Sequence, residues 1–322
     1  MAEPIASPIY GTIAVIGCGL IGGSLVRAAR QAGACNTIVI AEQGAARTRV
    51  EELSLGDRVT SDLCEAVKDA DLVVFATPVL SIGPAAEIAS KCYKPGATIT
   101  DVGSVKAAVG QALRASAPAT VHVIPGHPIA GTEHSGPDAG FAELFDNRWT
   151  LLTPANDPSP DYQAAVDRLV RFWTALGAKV ESMDEQHHDL VLAVTSHLPH
   201  LIAYNIVGTA DDLEKVTQTE VMKYSAGGFR DFTRIAASDP VMWRDVFLTN
   251  KDAVLEILGR FLEDLHGLSR AIRMGDGDAL QTLFTRTRAI RRGIIEAGQE
   301  TAETDFGRHH GHAPVSPDGP SG

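Results

Sequence analysis

Cysteine is scarce in this 322-residue sequence, and basic residues are outnumbered. The four cysteines form no C-x-x-C pair, so neither a zinc knuckle nor a disulfide framework is indicated, and we expect reduced thiols. The 28 basic residues against 40 acidic ones give a formal net charge of −12. This acidic balance argues against a nucleic-acid partner.

Long uninterrupted apolar runs are also missing. Segments such as DLVVFATPVL (71–80) are broken by proline or charge before they reach membrane-spanning length. The first residues, MAEPIASPIYGT, have neither the basic nor the apolar region of a signal peptide. We therefore expect a cytoplasmic protein with no membrane partner. A chain of this length is long enough for two globular domains.

The sequence does contain a regular alternation of β-branched segments and helical segments. Short apolar runs predict buried strands, and the first is followed by a predicted helix over residues 20–32. The predicted strands are 12–17, 37–42, 70–78, 97–104, 120–128, 149–154 and 178–183. This spacing predicts an α/β domain with a mostly parallel sheet over residues 10–183, preceded by an N-terminal arm over residues 1–9.

After Met183 the strand signals end, and apolar residues recur mainly at helical spacing. This pattern predicts an all-helical domain over residues 184–300. A leucine stripe within it is typical of a core or a subunit interface. The stripe comprises Leu255, Leu258, Leu262, Leu265 and Leu268. Residues 301–322 are rich in Gly, Pro and Ser, and we expect a disordered tail there.

A glycine-rich turn, GCGLIGGS, lies between the first predicted strand and the first predicted helix. Gly17, Gly19 and Gly22 have the G-x-G-x-x-G spacing that permits a tight turn, close approach of a pyrophosphate, and close packing of helix on strand. Leu20 and Ile21 complete the turn at the helix N-terminus, where free N–H groups favour anions. The motif in this context predicts a Rossmann-type dinucleotide-binding domain.

Glu42 lies at the end of the second predicted strand, twenty residues beyond the last of these glycines. A carboxylate there binds the ribose hydroxyls and repels a 2′-phosphate, which favours NAD over NADP. Arg47 and Arg49 follow closely and could bind a 2′-phosphate, so this selectivity stays open. Thr77 and Pro78 follow another strand and are expected beside the cofactor, because ligands bind at the carboxyl ends of parallel strands.

A second glycine-rich and proline-rich segment, GHPIAGTEHSG (126–136), follows a later strand. It holds His127 in a rigid turn, which makes this side chain a candidate general base. Ser104, in DVGSVK, follows the preceding strand and is expected at the same edge, where it could orient the imidazole. A serine hydrolase is not indicated, because G-x-S-x-G is absent and a hydrolase does not need the dinucleotide motif.

These segments resemble the prephenate/arogenate (cyclohexadienyl) dehydrogenase family of tyrosine biosynthesis over about residues 10–300. The motifs that carry the resemblance are IGCGLIGGSL, DVGSVK, GHPIAGTEHSG, SHLPH (196–200) and GGFRDFTRIAASDPVMW (227–243). The resemblance implies an NAD-dependent enzyme that removes a hydride from a cyclohexadienyl ring while a ring carboxylate leaves as carbon dioxide. Aromatisation drives this reaction, so no metal is required.

The resemblance also implies roles for individual residues. His127 would accept the hydroxyl proton, and Ser104 would orient it and touch nicotinamide and substrate. Arg234 would bind a substrate carboxylate in a bidentate manner. The plain alternative for Arg234 is a structural ion pair with Asp231, three residues earlier.

Further residues of the helical region match pocket positions of the family. His200 matches the second active-site histidine, although His197 shares roughly its helix face and helical spacing alone does not separate the two. Gly227, Asp231 and Trp243 would contact substrate, with Trp243 either reaching across from a partner subunit or serving as an ordinary core residue.

Glu133 bears on the choice between substrates. Its carboxylate would attract the ammonium of arogenate, or it could act as a gate paired with the neighbourhood of Asp231 or with an arginine. We expect prephenate as the first substrate, giving 4-hydroxyphenylpyruvate, with arogenate, giving tyrosine, as a second. The histidines match neither H-E-x-x-H nor a comparable spacing, so we expect no metal site.

Two other functions remain as alternatives. A β-hydroxyacid dehydrogenase combines similar domains but uses a lysine base on a helix, where this chain has SHLPH and FTRIA. A non-catalytic NAD-binding redox sensor would need the glycine motif without the other residues. The apolar helical stripes and the resemblance both predict a homodimer formed through the helical domain.

Overall fold

The computed structural model describes residues 7–217 and 226–296. It divides into two compact units, one up to Leu258 and the other from Gly259 onward. Most of the predicted arm (1–9) and all of the predicted tail (301–322) lie outside the described residues. The predicted domain boundary between residues 183 and 184 also stays a prediction.

The first unit is built on a six-stranded parallel sheet in the order β3-β2-β1-β4-β5-β6. The strands are β1 (Tyr10–Ile16), β2 (Cys35–Ala41), β3 (Arg58–Thr60), β4 (Leu72–Phe75), β5 (Thr98–Asp101) and β6 (His122–Val123). This order is that of a Rossmann fold, and a crevice for ligand opens where it reverses between β1 and β4. The predicted α/β architecture is confirmed.

Helices cover both faces of this sheet. They are α1 (Leu20–Gln31), α2 (Gly44–Glu52), α3 (Leu63–Val67), α4 (Val79–Ala89), α5 (Ala107–Ser116) and α6 (Pro160–Ala175). Because side chains alternate along a strand, Ile13 and Val15 of β1 pack into one core with α1 and α6, whereas Ala14 and Ile16 pack into the other with α4 and α5.

The predicted strand over residues 120–128 divides into two strands that belong to different sheets. Residues beyond β6 turn into β7 (Gly126–Pro128), which pairs antiparallel with β8 (Trp149–Leu152), and β8 pairs parallel with β9 (Lys179–Ser182). Pro125 precedes the new strand and cannot donate a ladder hydrogen bond, which suits the point where the chain changes sheet. The short strand β3 was not predicted.

Beyond β9 every described element is helical, as predicted. The helices are α7 (Glu185–Leu192), α8 (Leu198–Thr217), α9 (Gly227–Thr233), α10 (Pro240–Thr249), α11 (Lys251–Met274) and α12 (Gly277–Glu296). A single π-helical turn, Ala193–His197, joins α7 to α8. Leu255, Leu262 and Leu265 of the predicted stripe are exposed in the single chain.

By length and mean hydropathy alone, the helical segment Glu185–Leu213 could cross a membrane. Core helices of globular proteins meet the same criteria. This segment carries His188, Asp189 and His197, which are buried and hydrogen-bonded to other parts of the first unit. We therefore interpret it as a core helix.

Cys64 of α3 and Cys92, at the end of a 3₁₀ turn after α4, form a disulfide. The expectation of reduced thiols was wrong for this pair, whereas Cys18 and Cys35 are free. The two Cα atoms are 5.2 Å apart, although 28 residues separate the cysteines in the chain. Only the packing of α3 against α4 brings the two cysteines together, so no sequence motif predicts the disulfide.

Candidate active site

The glycine turn after β1 has the close contacts that its motif predicts. Gly17 has φ +88°, a conformation that favours glycine, and a Cβ there would lie 2.8 Å from the Ala76 carbonyl oxygen. A Cβ on Gly22 would lie 2.3 Å from the Gly17 oxygen. A Cβ on Gly19 would meet nothing within 4 Å. Gly17 and Gly22 are therefore required by the fold, whereas Gly19 faces open space.

This open space suits the pyrophosphate of a dinucleotide. Gly19 is the N-cap of α1 and offers no side-chain cap, so the first N–H groups of the helix remain for a ligand. Across the crevice, Thr77 follows β4, and its Oγ1 is buried without a hydrogen-bond partner among the described residues. Both features fit the predicted cofactor, with Leu20, Ile21 and Pro78 alongside.

Glu42 follows β2, as predicted, and points back toward the glycine turn. Its Oε2 accepts a hydrogen bond from the Cys18 backbone N–H at 2.7 Å, and its Oε1 accepts one from Gln43 N–H at 3.0 Å. The carboxylate is therefore held beside the glycine turn, at the position where the adenosine ribose of the cofactor is expected. Arg47 forms an ion pair with Glu51, and Arg49 forms one with Asp138. These acidic partners oppose the use of either arginine for a 2′-phosphate.

His127 lies on β7, buried at the carboxyl edge of the main sheet. Its Nδ1 is 2.9 Å from Nε2 of His188, which lies on α7. His188 therefore occupies the Nδ1 side of the ring, and the expectation that Ser104 orients this imidazole stays a prediction. Ser104 remains at the same edge, after β5.

The histidine contact continues into a buried carboxylate. His188 Nδ1 is 2.8 Å from Asp189 Oδ1, and the two carboxylate oxygens also accept the backbone N–H groups of Lys106 at 2.7 Å and Ala107 at 3.0 Å. These N–H groups lie at the start of α5, where a negative charge is stabilised. Neither His188 nor Asp189 was identified from the sequence.

A buried ion pair between Asp101 and Lys106 supports the same edge of the sheet. Lys106 Nζ also donates to the Gly126 carbonyl oxygen at 2.6 Å, and Asp101 accepts the backbone N–H groups of Gly103 at 2.8 Å and Gly126 at 3.2 Å. Burial raises the pKa of Asp101 and lowers the pKa of Lys106, and the attraction between the two charges opposes both shifts. The pair fixes the backbone next to His127.

The surroundings of His127 favour its uncharged form at pH values near 7. Burial lowers its pKa well below the ordinary value, and the nearby His188 and the Lys106 charge lower it further. Burial also lowers the pKa of His188. A neutral imidazole can accept a proton, which is the property required of a general base.

His197 and His200 have different surroundings. His197 is fully buried, its Nδ1 is 3.1 Å from Asn250 Nδ2, and its ring packs edge-on against Trp243. His200 is partly buried and stacks on Trp243 with 3.7 Å between ring centroids, and its Nδ1 is 2.8 Å from the Ser196 oxygen. The π turn before α8 sets these positions, and such turns are frequent at functional sites.

Arg234 follows α9 and forms an ion pair with Glu133, with Nη1 3.0 Å from Oε2. Of the pairings considered from the sequence, the structure has that of Glu133 with an arginine, and the role of this pair as a gate stays a prediction. The Arg234 charge also lowers the pKa of His200, after the larger effect of burial. Arg234, Glu133 and His200 therefore form one cluster.

Gly227 and Asp231 are exposed on α9, whereas Trp243 is buried on α10 within the core of its own chain. Burial of Trp243 here favours the core interpretation of this residue. Among the described residues, no group of three or more His, Cys, Asp or Glu side chains is placed to hold a metal ion.

Comparisons with known proteins agree with this arrangement. Residues 25–182 match the family model "Prephenate dehydrogenase, nucleotide-binding domain", and residues 184–286 match "Prephenate dehydrogenase, dimerization domain". The chain is 42% identical over 285 residues to a cyclohexadienyl dehydrogenase of Zymomonas mobilis, covering 88% of this chain and 96% of that protein.

Two solved structures are similar over 88% of this chain. Prephenate dehydrogenase from Aquifex aeolicus, in complex with hydroxyphenyl propionate and NAD+, is 30% identical, with 98% of that chain covered and a TM-score of 0.81. Synechocystis arogenate dehydrogenase is 27% identical, with 99% covered and a TM-score of 0.71. On its matched domains, its sequence identity and its site, the chain belongs to the prephenate dehydrogenase family.

Proposed function

We propose that this chain catalyses the NAD-dependent oxidative decarboxylation of prephenate to 4-hydroxyphenylpyruvate in tyrosine biosynthesis, with arogenate as a second substrate. One observation carries the proposal: a buried, neutral His127 lies at the same sheet edge as a glycine turn that leaves room for a dinucleotide. A base beside a hydride acceptor is the pair of functions that oxidation of a ring alcohol requires.

NAD, when bound, supplies the hydride acceptor for the carbinol carbon of the ring. His127 accepts the proton of the ring hydroxyl, so the O–H electron pair can form the second carbon–oxygen bond as the hydride leaves the carbinol carbon. The electrons of the bond to the departing carboxylate then pass into the ring and make it aromatic, carbon dioxide is released, and the ring oxygen takes a proton back from His127 to give the phenol. The buried edge around His127 keeps the base neutral until the substrate delivers its proton.

Arg234 binds a carboxylate of the substrate in this proposal, because a guanidinium matches a carboxylate with two hydrogen bonds. His200 lies against Trp243 beside Arg234 and contacts the substrate from the helical side. Ser104 lies after β5 and contacts nicotinamide and substrate. Gly227 and Asp231 on α9, and Trp243 beneath His200, complete the substrate-binding set.

The cofactor set in this proposal consists of the glycine turn, the carboxylate after β2 and the residues after β4. These are Gly17, Gly19, Leu20, Ile21, Gly22, Glu42, Thr77 and Pro78. The position of Glu42, bonded to the Cys18 backbone beside the turn, supports NAD over NADP.

The dual substrate range is supported by Glu133, which places a carboxylate next to Arg234. Prephenate ends in a pyruvyl group and arogenate in an alanyl group with an ammonium, and an acid in the pocket attracts the ammonium. The similar proteins named above include a cyclohexadienyl dehydrogenase and an arogenate dehydrogenase.

We further propose a cytoplasmic homodimer formed through the helical domain. The leucines exposed on α11 and the exposed Phe284, Ile290 and Ile294 on α12 form apolar surface that a single chain leaves uncovered. The matched dimerization-domain model supports a dimer.

Formation of NADH or NADPH by the purified protein, offered prephenate or arogenate with NAD or NADP, tests the function. We expect turnover of prephenate with NAD and release of 4-hydroxyphenylpyruvate, identified by chromatography. Turnover of only aliphatic hydroxyacids would favour a β-hydroxyacid dehydrogenase. NAD binding without turnover of any of these substrates would favour a redox sensor.

A further inference from the structure

We propose that His188 and Asp189 are positioning residues that set the tautomer of His127 and hold the positive charge it acquires during the reaction. This inference rests on the proposed role of His127 as the base. The geometry that carries it is a continuous chain of contacts, from His127 Nδ1 to His188 Nε2 at 2.9 Å and from His188 Nδ1 to Asp189 Oδ1 at 2.8 Å.

The direction of these hydrogen bonds follows from the contacts that Asp189 makes. The backbone N–H groups of Lys106 and Ala107 can only donate, and they bond to Oδ1 and Oδ2 of Asp189. An ionised carboxylate is acceptor-only, so the hydrogen on His188 must lie on Nδ1. Neutral His188 then has a lone pair on Nε2 and accepts from His127. His127 consequently carries its hydrogen on Nδ1 and has its lone pair on Nε2.

The Asp189 carboxylate is itself held from several sides. Its oxygens bond to the first turn of α5, and its backbone oxygen accepts from Asn250 Nδ2 at 2.9 Å. Both His188 and Asp189 are almost completely buried. The pair therefore has little freedom to rotate, and it acts on His127 from a fixed position.

This arrangement gives His127 two advantages as a base. Its Nε2 is the unprotonated nitrogen before the reaction, so no tautomer exchange precedes proton transfer. After the transfer, the imidazolium donates from Nδ1 toward a ring that is itself bonded to a carboxylate, so the new charge is stabilised in a site with little water.

The decisive variant is Asp189→Leu. His188 Nδ1 and the Lys106 N–H both bond to Oδ1 of Asp189, so an asparagine could keep its oxygen at that position, whereas leucine has a similar volume and accepts no hydrogen bond. Without the carboxylate nothing holds the His188 proton on Nδ1, and His127 is no longer restricted to one tautomer. Nitrogen-15 NMR of the histidine rings reports which ring nitrogen is protonated, and the His127 signals are identified by their absence from His127→Asn.

We expect His127 in the wild-type protein to be protonated on Nδ1, and this preference to be lost in Asp189→Leu. We also expect kcat to fall by roughly 10²-fold to 10⁴-fold, the range that a correctly protonated base contributes, with the Kd for NAD unchanged. His188→Gln, which removes the ring through which Asp189 acts, should lower kcat by at least about tenfold. His187→Gln alters the exposed neighbouring histidine and is the matched control, with unchanged kcat.

An unchanged His127 tautomer and unchanged kcat in Asp189→Leu, in protein that still binds NAD, would overturn the proposal, as would a wild-type His127 protonated on Nε2. If Asp189→Leu does not fold, the wild-type tautomer and the His188→Gln kinetics decide the question. A predicted tautomer that changes in the variant, in a protein that turns over neither prephenate nor arogenate, would support the positioning pair while contradicting the proposed function.

Discussion

The Glu133 carboxylate and the Arg234 guanidinium meet across 101 residues of sequence, with Oε2 and Nη1 3.0 Å apart. The contact joins the turn after β7 to the turn after α9. The side chains are partly exposed, and an ion pair of this kind contributes only about 0–1 kcal/mol. A substrate carboxylate can therefore compete for the guanidinium at little cost, and the Glu133 carboxylate lies beside Arg234, where it can meet a substrate ammonium.

Glu133→Gln should change the preference between the two substrates. The variant keeps the shape of the side chain but removes the charge that attracts an ammonium, so kcat/KM for arogenate should fall relative to kcat/KM for prephenate. Steady-state kinetics with both substrates measure this ratio. An unchanged ratio would remove Glu133 from the account of substrate choice.

Arg234→Lys should raise KM for prephenate by about 10-fold to 100-fold, because hydrogen bonds to charged groups contribute about 1.5–3 kcal/mol and lysine cannot form the bidentate contact. The effect on kcat should be smaller. Arg244→Lys is the control, since Arg244 is mostly exposed and paired with Asp245. Equal effects of the two substitutions on KM would contradict the assignment of Arg234.

Substitution of two glycines of the first turn should have different effects, one on folding and the other on cofactor binding. Gly22→Ala would bring a methyl group 2.3 Å from the Gly17 oxygen, so we expect a lower Tm. Gly19→Ala meets no protein atom within 4 Å, so its Tm should stay near that of the wild type while the Kd for NAD rises. Calorimetry and NAD titration measure the two quantities. Normal NAD affinity in Gly19→Ala would contradict the proposed pyrophosphate position.

His197 should make the protein less stable in mild acid. Burial lowers its pKa to about 4, whereas its pKa in the unfolded chain is about 6.5. Above pH 6.5 the histidine is neutral in both states and does not lower the free energy of unfolding. As the pH falls from 6.5 toward 4, the free energy of unfolding decreases, because only the unfolded chain takes up the proton in that range.

His197→Gln should therefore reduce the dependence of the unfolding free energy on pH between 6.5 and 4. Urea unfolding of both proteins across this range is the test. Parallel curves for wild type and variant would show that His197 is not held neutral by the fold.

Much of the first unit could be predicted because its signals are local. A buried parallel strand is a short apolar run, and the glycine turn, Glu42 and the His127 segment each directly follow such a run. The strand β3 was missed because Arg58–Thr60 is only three residues long and partly exposed. The split into β6 and β7 was missed because one apolar run continues across a change of sheet.

The partners of His127 could not be predicted in the same way. His188 and Asp189 are 61 and 62 residues from His127 in the chain, and only the packing of α7 against the start of α5 brings them to it. The available signal was local: Asp184 caps α7 with hydrogen bonds to the next turn, which fixes where the helix begins, and Leu192 lies on its buried side with His188 and Asp189. A buried His–Asp pair on that side needs a polar partner.

Kinetics of His127→Asn, beside the matched control His122→Asn, decide whether His127 is the base. His122 lies on β6, only a few residues away and outside the proposed site. We expect kcat for prephenate to fall by roughly 10²-fold to 10⁴-fold in His127→Asn alone, with the Kd for NAD unchanged in both variants. A His127→Asn enzyme that keeps kcat within a few-fold of wild type would contradict the account.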